Sequence, residues 1–222
     1  MPKTFVVVVC LPADTPTDQL VATAVARLAS SPWTSAGPAG HFPITTRWRR
    51  GRLVQPWHDT AAGGPLHLLD LDAMRATAWD ASWRRWDIWH RVVAGTRPAL
   101  PYWHFVDRHR AEPHKYSLAK AQQHYLAQPR IAAMRIYNAL RNKIGALPTN
   151  QLEAFQASDD GNAYAYLGLL TAVPRDGLIT LDGHHLAPAS DRLADCLSYL
   201  ESAQQHLNTL SSRDHLVAVA TA

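Results

Sequence analysis

The two ends of the chain constrain its fold most. Thr4 to Leu11 is a continuously apolar, β-branched run, and His215 to Ala220 is a second. A strand with one wet face alternates polar and apolar residues, so a run that does not alternate reads as a strand covered on both sides. Each run has an amphipathic helix as its neighbour in sequence. After the first, Leu20, Val21, Ala24, Val25 and Leu28 recur at helical spacing, with Thr15 as the expected cap, Pro16 at the first helical position and Asp18 completing a variant capping box. Before the last, Leu193, Cys196, Leu197, Leu200, Ala203 and Leu207 form one stripe behind the cap Asp191. A strand–helix start and a helix–strand finish predict an α+β fold with a single sheet whose terminal strands are adjacent or close, an order that suits a ferredoxin-like sheet.

The middle of the chain reads as helical. Trp79, Trp83, Trp86 and Trp89 lie on one side of a helix expected from Asp72 to Ala94 and ended by Gly95. Further helices are expected at Tyr102 to Arg110, at Ser117 to Gln128 with Ser117 as cap, and from Pro129 to about Ile144. The last would bury Ala133, Ile136, Tyr137, Leu140 and Ile144. We therefore expect one domain over residues 1–222 with a helical insertion from about 70 to 145. Outside it, strands are expected at Ile44 to Val54 and at Tyr164 to Thr171. A hairpin is expected from Leu178 to Ala187 about Asp182-Gly183, a pair that favours a type I′ turn.

Composition narrows the function classes. With 222 residues and a formal charge of +4, the protein is mildly basic, which permits an anionic partner without requiring one. No run is long and apolar enough to span a bilayer, and no membrane partner is expected. Cys10 and Cys196 read as buried thiols of a reducing compartment, which places the protein in the cytoplasm. Nucleophile elbow, phosphate loop and dinucleotide fingerprint are all missing, and no cofactor is expected.

The tryptophan stripe reads first as a core anchor, because a buried indole removes about 150–250 Å² from water. As a surface it would be a stacking platform beside Arg84 and Arg85. The best phosphate-contact candidates are Arg47, Arg49, Arg50 and Arg52 around Trp48. On a strand, Arg47 and Arg49 would face one way while Trp48 and Arg50 face the other. His104, Asp107, His109 and His114 form a loose cluster without metal-site spacing. His184 and His185 follow the Asp182-Gly183 turn with no evident catalytic partner.

Several segments together resemble an uncharacterised group of actinomycete and actinophage proteins: Thr4–Val9 with Leu11–Pro16, Arg47–Leu53, Leu69–Arg75, Ala121–Pro129, Leu178–Gly183 and Asp214–Val219. That group commonly has Gly-Gly-Arg-Trp where this chain has Thr45-Thr46-Arg47-Trp48, which removes the backbone freedom of the two glycines. The resemblance implies a bacterial or phage setting and no particular activity. From these features we expect an accessory or binding protein that contacts nucleic acid, or a protein partner, through its arginine-rich segments. The alternative is a metal-assisted phosphodiester hydrolase using His104, Asp107 or His109, or His184.

Overall fold

The structure, a computed structural model, describes residues 5–46, 48 and 50–221. In chain order its elements are β1 (Phe5–Leu11), α1 (Leu20–Leu28), β2 (Ser35–Pro38), β3 (Phe42–Pro43), β4 (Thr60–Ala61), β5 (Gly63–Pro65) and α2 (Leu71–Val92). Then come α3 (Tyr102–Ala111), α4 (Leu118–Leu126), α5 (Pro129–Ala139), α6 (Leu152–Ala157) and α7 (Gly161–Ala172). The chain closes with β6 (Gly177–Ile179), β7 (His185–Leu186), α8 (Leu193–Thr209) and β8 (His215–Thr221). Two compact units result. The sheet unit takes the chain up to Ala78, Leu169–Ser190 and the stretch from Ala194 onward; the helical unit takes Trp79–Gly168 and Asp191–Leu193.

In the sheet unit the terminal strands are neighbours, as expected. β1 pairs antiparallel with β8 from Phe5↔Thr221 to Leu11↔His215, and parallel with β6 from Val7↔Gly177 to Val9↔Ile179. β7 folds back on β6, while β5 and β2 share the outer edge of β8. The mixed sheet is buried on both faces because successive side chains alternate. Val7, Val9 and Leu11 pack with Leu20, Ala24 and Leu28 of α1; Val8 and Cys10 pack with Tyr199, Leu200, Ala203 and Leu207 of α8. The α+β class holds. The ferredoxin-like detail is not confirmed, since the two helices cover opposite faces.

The helical unit is centred on Trp89, Tyr125, Ile131, Met134, Leu152, Phe155 and Tyr164. Helix α2, of which the residues from Trp79 onward belong to this unit, opens at Asp70, whose carboxylate accepts from the Ala73 amide at 3.0 Å, and closes near Gly95 at φ +75°. Ser117 caps α4 as expected, accepting from the Lys120 amide at 3.2 Å.

Several local expectations are corrected. Residues 161–172 form helix α7, not a strand; Asp160 caps it by accepting from the Ala163 amide at 2.8 Å, and the helical unit therefore runs past 145 to Gly168. The first helix opens with a 3-10 turn, Thr17–Gln19, behind Pro16, with no side-chain cap from Thr15. Between Ile44 and Val54 the described residues hold no strand, only bridges at each end and a 3-10 turn at Arg50–Arg52. Helix α5 stops at Ala139, and Ile136, Leu140 and Ile144 are exposed while Ile131 and Met134 are buried. In the 178–187 hairpin only Gly183 has positive φ, at +83°. A type I′ turn needs two such residues, so the loop is instead three residues wide, closed by Gly183 N–H to Thr180 O and Thr180 N–H to His184 O, both at 3.0 Å.

Candidate nucleic-acid interface

The arginine-rich segment lies in the long loop between β3 and β4. The Ile44 amide donates to Asp59 O at 3.1 Å across its base. Midway, Leu53 and Val54 are buried, and Val54 exchanges hydrogen bonds of 2.8 Å with Gly63 O and the Ala62 amide. This inner anchor divides the loop into two outward lobes. The first carries Trp48, 96% exposed, with exposed Arg50 and Arg52; the second carries Trp57, 73% exposed, and His58. The Arg50 guanidinium joins them, donating to His58 O at 2.6 Å. Trp57 and His58 meet edge to face, with ring centroids 4.9 Å apart.

The second lobe is conformationally strained. Gln55 has φ +42° and His58 φ +50°, values that are uncommon for residues with a Cβ. Such geometry persists only where surrounding contacts impose it, here the buried Leu53–Val54 pair and the Trp57–Thr60 backbone bonds of 2.8 and 3.0 Å. The Trp57 indole is thereby presented to water from a backbone fixed on both sides, and Trp48 is also exposed. Arg47 and Arg49 lie outside the described residues. Among the described residues of this segment no strand forms, and Arg50–Arg52 is a 3-10 turn.

The tryptophan helix is graded instead of uniform. Trp89 is buried, Trp79 and Trp86 are half-buried, and Trp83 is 43% exposed. Trp89 stacks on Phe155 at 5.0 Å, and Phe155 stacks on Tyr164 at 4.4 Å, with planes 11° and 9° apart. His90 stacks on Trp86 at 5.0 Å, and the Arg130 guanidinium lies 5.6 Å from the Trp89 ring. The start of α7 covers Trp83, for a Cβ on Gly161 would lie 2.8 Å from its Nε1. The core reading therefore holds at the Trp89 end and weakens towards Trp83. Arg84 is exposed, whereas Arg85 interacts with Tyr164, whose pKa is raised by burial against the opposing pull of that guanidinium.

The central histidine cluster does not assemble. Asp107 pairs with Arg110 at 3.3 Å and Arg192 at 2.6 Å, and Arg192 lies over the Trp103 ring. His109 Nδ1 lies 2.7 Å from Tyr116 O, and His104 packs edge on against Phe105. Among the described residues no group of three His, Cys, Asp or Glu could hold a metal ion. His184 is exposed in its turn, while His185 packs near Trp33 with ring centroids 6.1 Å apart.

Two further places where ligands or nucleophiles are often found have these surroundings. Open α/β sheets receive ligands beyond the carboxyl ends of parallel strands. At that end of β1 and β6, Arg27 donates to Cys10 O, Thr180 O and Leu181 O at 2.8–3.1 Å and so ties the two strand ends together. Burial pushes the Cys10 thiol up to about 12, so it is no thiolate nucleophile near neutral pH. Cys196 is half-buried instead of buried, and neither cysteine forms a disulfide. No described helix is long and apolar enough to cross a membrane.

No family model, curated protein or solved structure matches the chain. The structure defines a mixed α/β protein with a two-faced sheet and a helical unit. Its functional reading rests on its own surface.

Proposed function

We propose that this is a non-enzymatic accessory protein that contacts single-stranded nucleic acid through the β3–β4 loop. One observation carries the reading: Trp48 and Trp57, both strongly exposed, share a loop with exposed Arg50 and Arg52. Exposed indoles offer faces on which unpaired bases stack, and neighbouring guanidinium groups supply the phosphate contacts. Burying one of these rings in the protein's own core would have been favourable by several kilocalories per mole, so two left in water, one of them on a backbone held by the Trp57–Thr60 bonds, favour a partner. Arg47 and Arg49, in the same sequence run, add charge to the segment. The likeness of its motifs to actinomycete and actinophage sequences favours bacterial or phage nucleic acid, met in the cytoplasm, as the setting.

Fluorescence anisotropy with a labelled single-stranded oligonucleotide tests this. Trp48→Ala and Trp57→Ala should each weaken binding by about 5- to 150-fold, the range for loss of one base–aromatic stack. Arg50→Ala and Arg52→Ala should each flatten the slope of log affinity against log salt by about 0.7. A flat titration at about 50 mM salt, where phosphate-driven affinity is strong, ends this reading.

A further inference from the structure

Within the helical unit, the end of α5 and the loop after it carry another candidate surface. Between Glu112 and Glu153 the chain has no acidic residue; its charged groups are Lys115, Lys120, Arg130, Arg135, Arg141 and Lys143. Within this stretch Ile136 is 68% exposed, Ile144 is 78% exposed, and Leu140 is about half exposed. Exposed Arg135, Arg141 and Lys143 alternate with them in sequence.

The loop is held in this state. The Tyr137 hydroxyl donates to Ile144 O at 3.2 Å and accepts from the Ile144 amide at 3.0 Å. The Asn138 side chain donates to Leu147 O at 2.8 Å and accepts from the Leu147 amide at 2.7 Å. Lys143 Nζ reaches Leu140 O at 3.3 Å, and Gly145 takes φ +75° to complete the turn. Side chains of α5 thus fix the backbone at Ile144 and at Leu147 while the Ile144 side chain stays in water. A loop ordered this way and tipped with an aliphatic residue is built to present that residue.

We propose that this surface docks on an anionic lipid bilayer. Aliphatic side chains on an ordered tip enter the acyl boundary, and the basic residues beside them meet lipid phosphates. Charge decides among occupants. A second copy of the same surface would set Arg135, Arg141 and Lys143 against themselves, and aliphatic tips lack the flat π-faces on which bases stack. That no described helix crosses a membrane bears on spanning a bilayer, not on lying against one.

The test is flotation of the full chain with vesicles of phosphatidylcholine alone or with phosphatidylglycerol, at about 0.1 M salt. The protein should float with the anionic vesicles and not with the zwitterionic ones. Ile144→Ser should weaken binding by about tenfold, and Arg141→Glu with Lys143→Glu by about tenfold or more, with thermal melts unchanged because these side chains are exposed. No flotation with anionic vesicles overturns the proposal, as does flotation of Ile144→Ser equal to that of the unaltered protein. Loss of oligonucleotide binding by Arg141→Glu, without any vesicle binding, would assign the surface to nucleic acid instead.

Discussion

Gly63→Ala is expected to unseat β5 from β8. An ideal Cβ at Gly63 would lie 2.2 Å from Leu216 O and 2.8 Å from Val217 Cα. Comfortable carbon contacts begin at about 3.5 Å, and both obstacles are backbone, so the strands must part by about 1 Å. That parting strains Ala218 N–H to Ala62 O at 2.7 Å and Val54 N–H to Gly63 O at 2.8 Å, and with the latter the reciprocal Ala62 N–H to Val54 O. At about 1 kcal/mol net for each hydrogen bond, the expected loss is about 2–3 kcal/mol. For a chain of this length that lowers the melting temperature by about 4–12 °C. Gly51→Ala is the control, because a Cβ there meets nothing within 4 Å. Thermal unfolding followed by far-UV circular dichroism measures both. If Gly63→Ala melts within 1 °C of the unaltered protein, or Gly51→Ala falls as far, the packing argument is refuted. The same substitution should weaken oligonucleotide binding, since the inner anchor of the β3–β4 loop hangs from the Gly63 carbonyl.

Acid should destabilise the sheet unit. Burial drives His41 from 6.5 down to about 4, against the opposing hydrogen bond to Val173 O. The unfolded imidazole then takes up a proton at a pH where the folded one does not. This contribution is complete above pH 6.5 and is lost as pH falls towards 4, about 3 kcal/mol over the window. His206 and His215 are lowered too, chiefly by burial, and add in the same direction. Urea midpoints at pH 7 and pH 4.5 should therefore differ, and His41→Gln should narrow the gap; equal midpoints in the unaltered protein contradict the assignment. In the helical unit, Phe155→Ala removes a fully buried ring stacked on both faces and should cost about 3–5 kcal/mol, with loss of near-ultraviolet tryptophan dichroism. A loss under 1 kcal/mol would mean that the stack is not what holds this unit together.

The candidate site was legible in sequence by composition and not by geometry. The run Arg47–Arg52 around Trp48 stood out, but the expected strand did not form, because Leu53 and Val54 turn inward and pin the loop to β5. Trp57 belongs to the same surface and was missed. Its only signal was an aromatic flanked by Pro56 and His58 in a loop. The tryptophan helix misled in the opposite way: four indoles at helical spacing looked equivalent, whereas their burial grades from Trp89 to Trp83. Asp107 attracted attention beside histidines, but Arg192, distant in sequence, claims its carboxylate.

What the sequence determined by itself was whatever short-range periodicity encodes. The two terminal strands, the stripe of α8, the Ser117 cap and the Gly95 stop all follow from local rules that tertiary contacts reinforce. Residues 161–172 fall outside that reach, because a short apolar run suits a buried helix as well as a buried strand. Helix α5 shows the same limit. Both its faces carry apolar residues, so the pattern cannot say which one is buried; packing put Ile131 and Met134 inside and left Ile136 in water. Placing α1 and α8 on opposite faces of the sheet was likewise a tertiary decision, since a strand apolar on both sides accepts a helix on either.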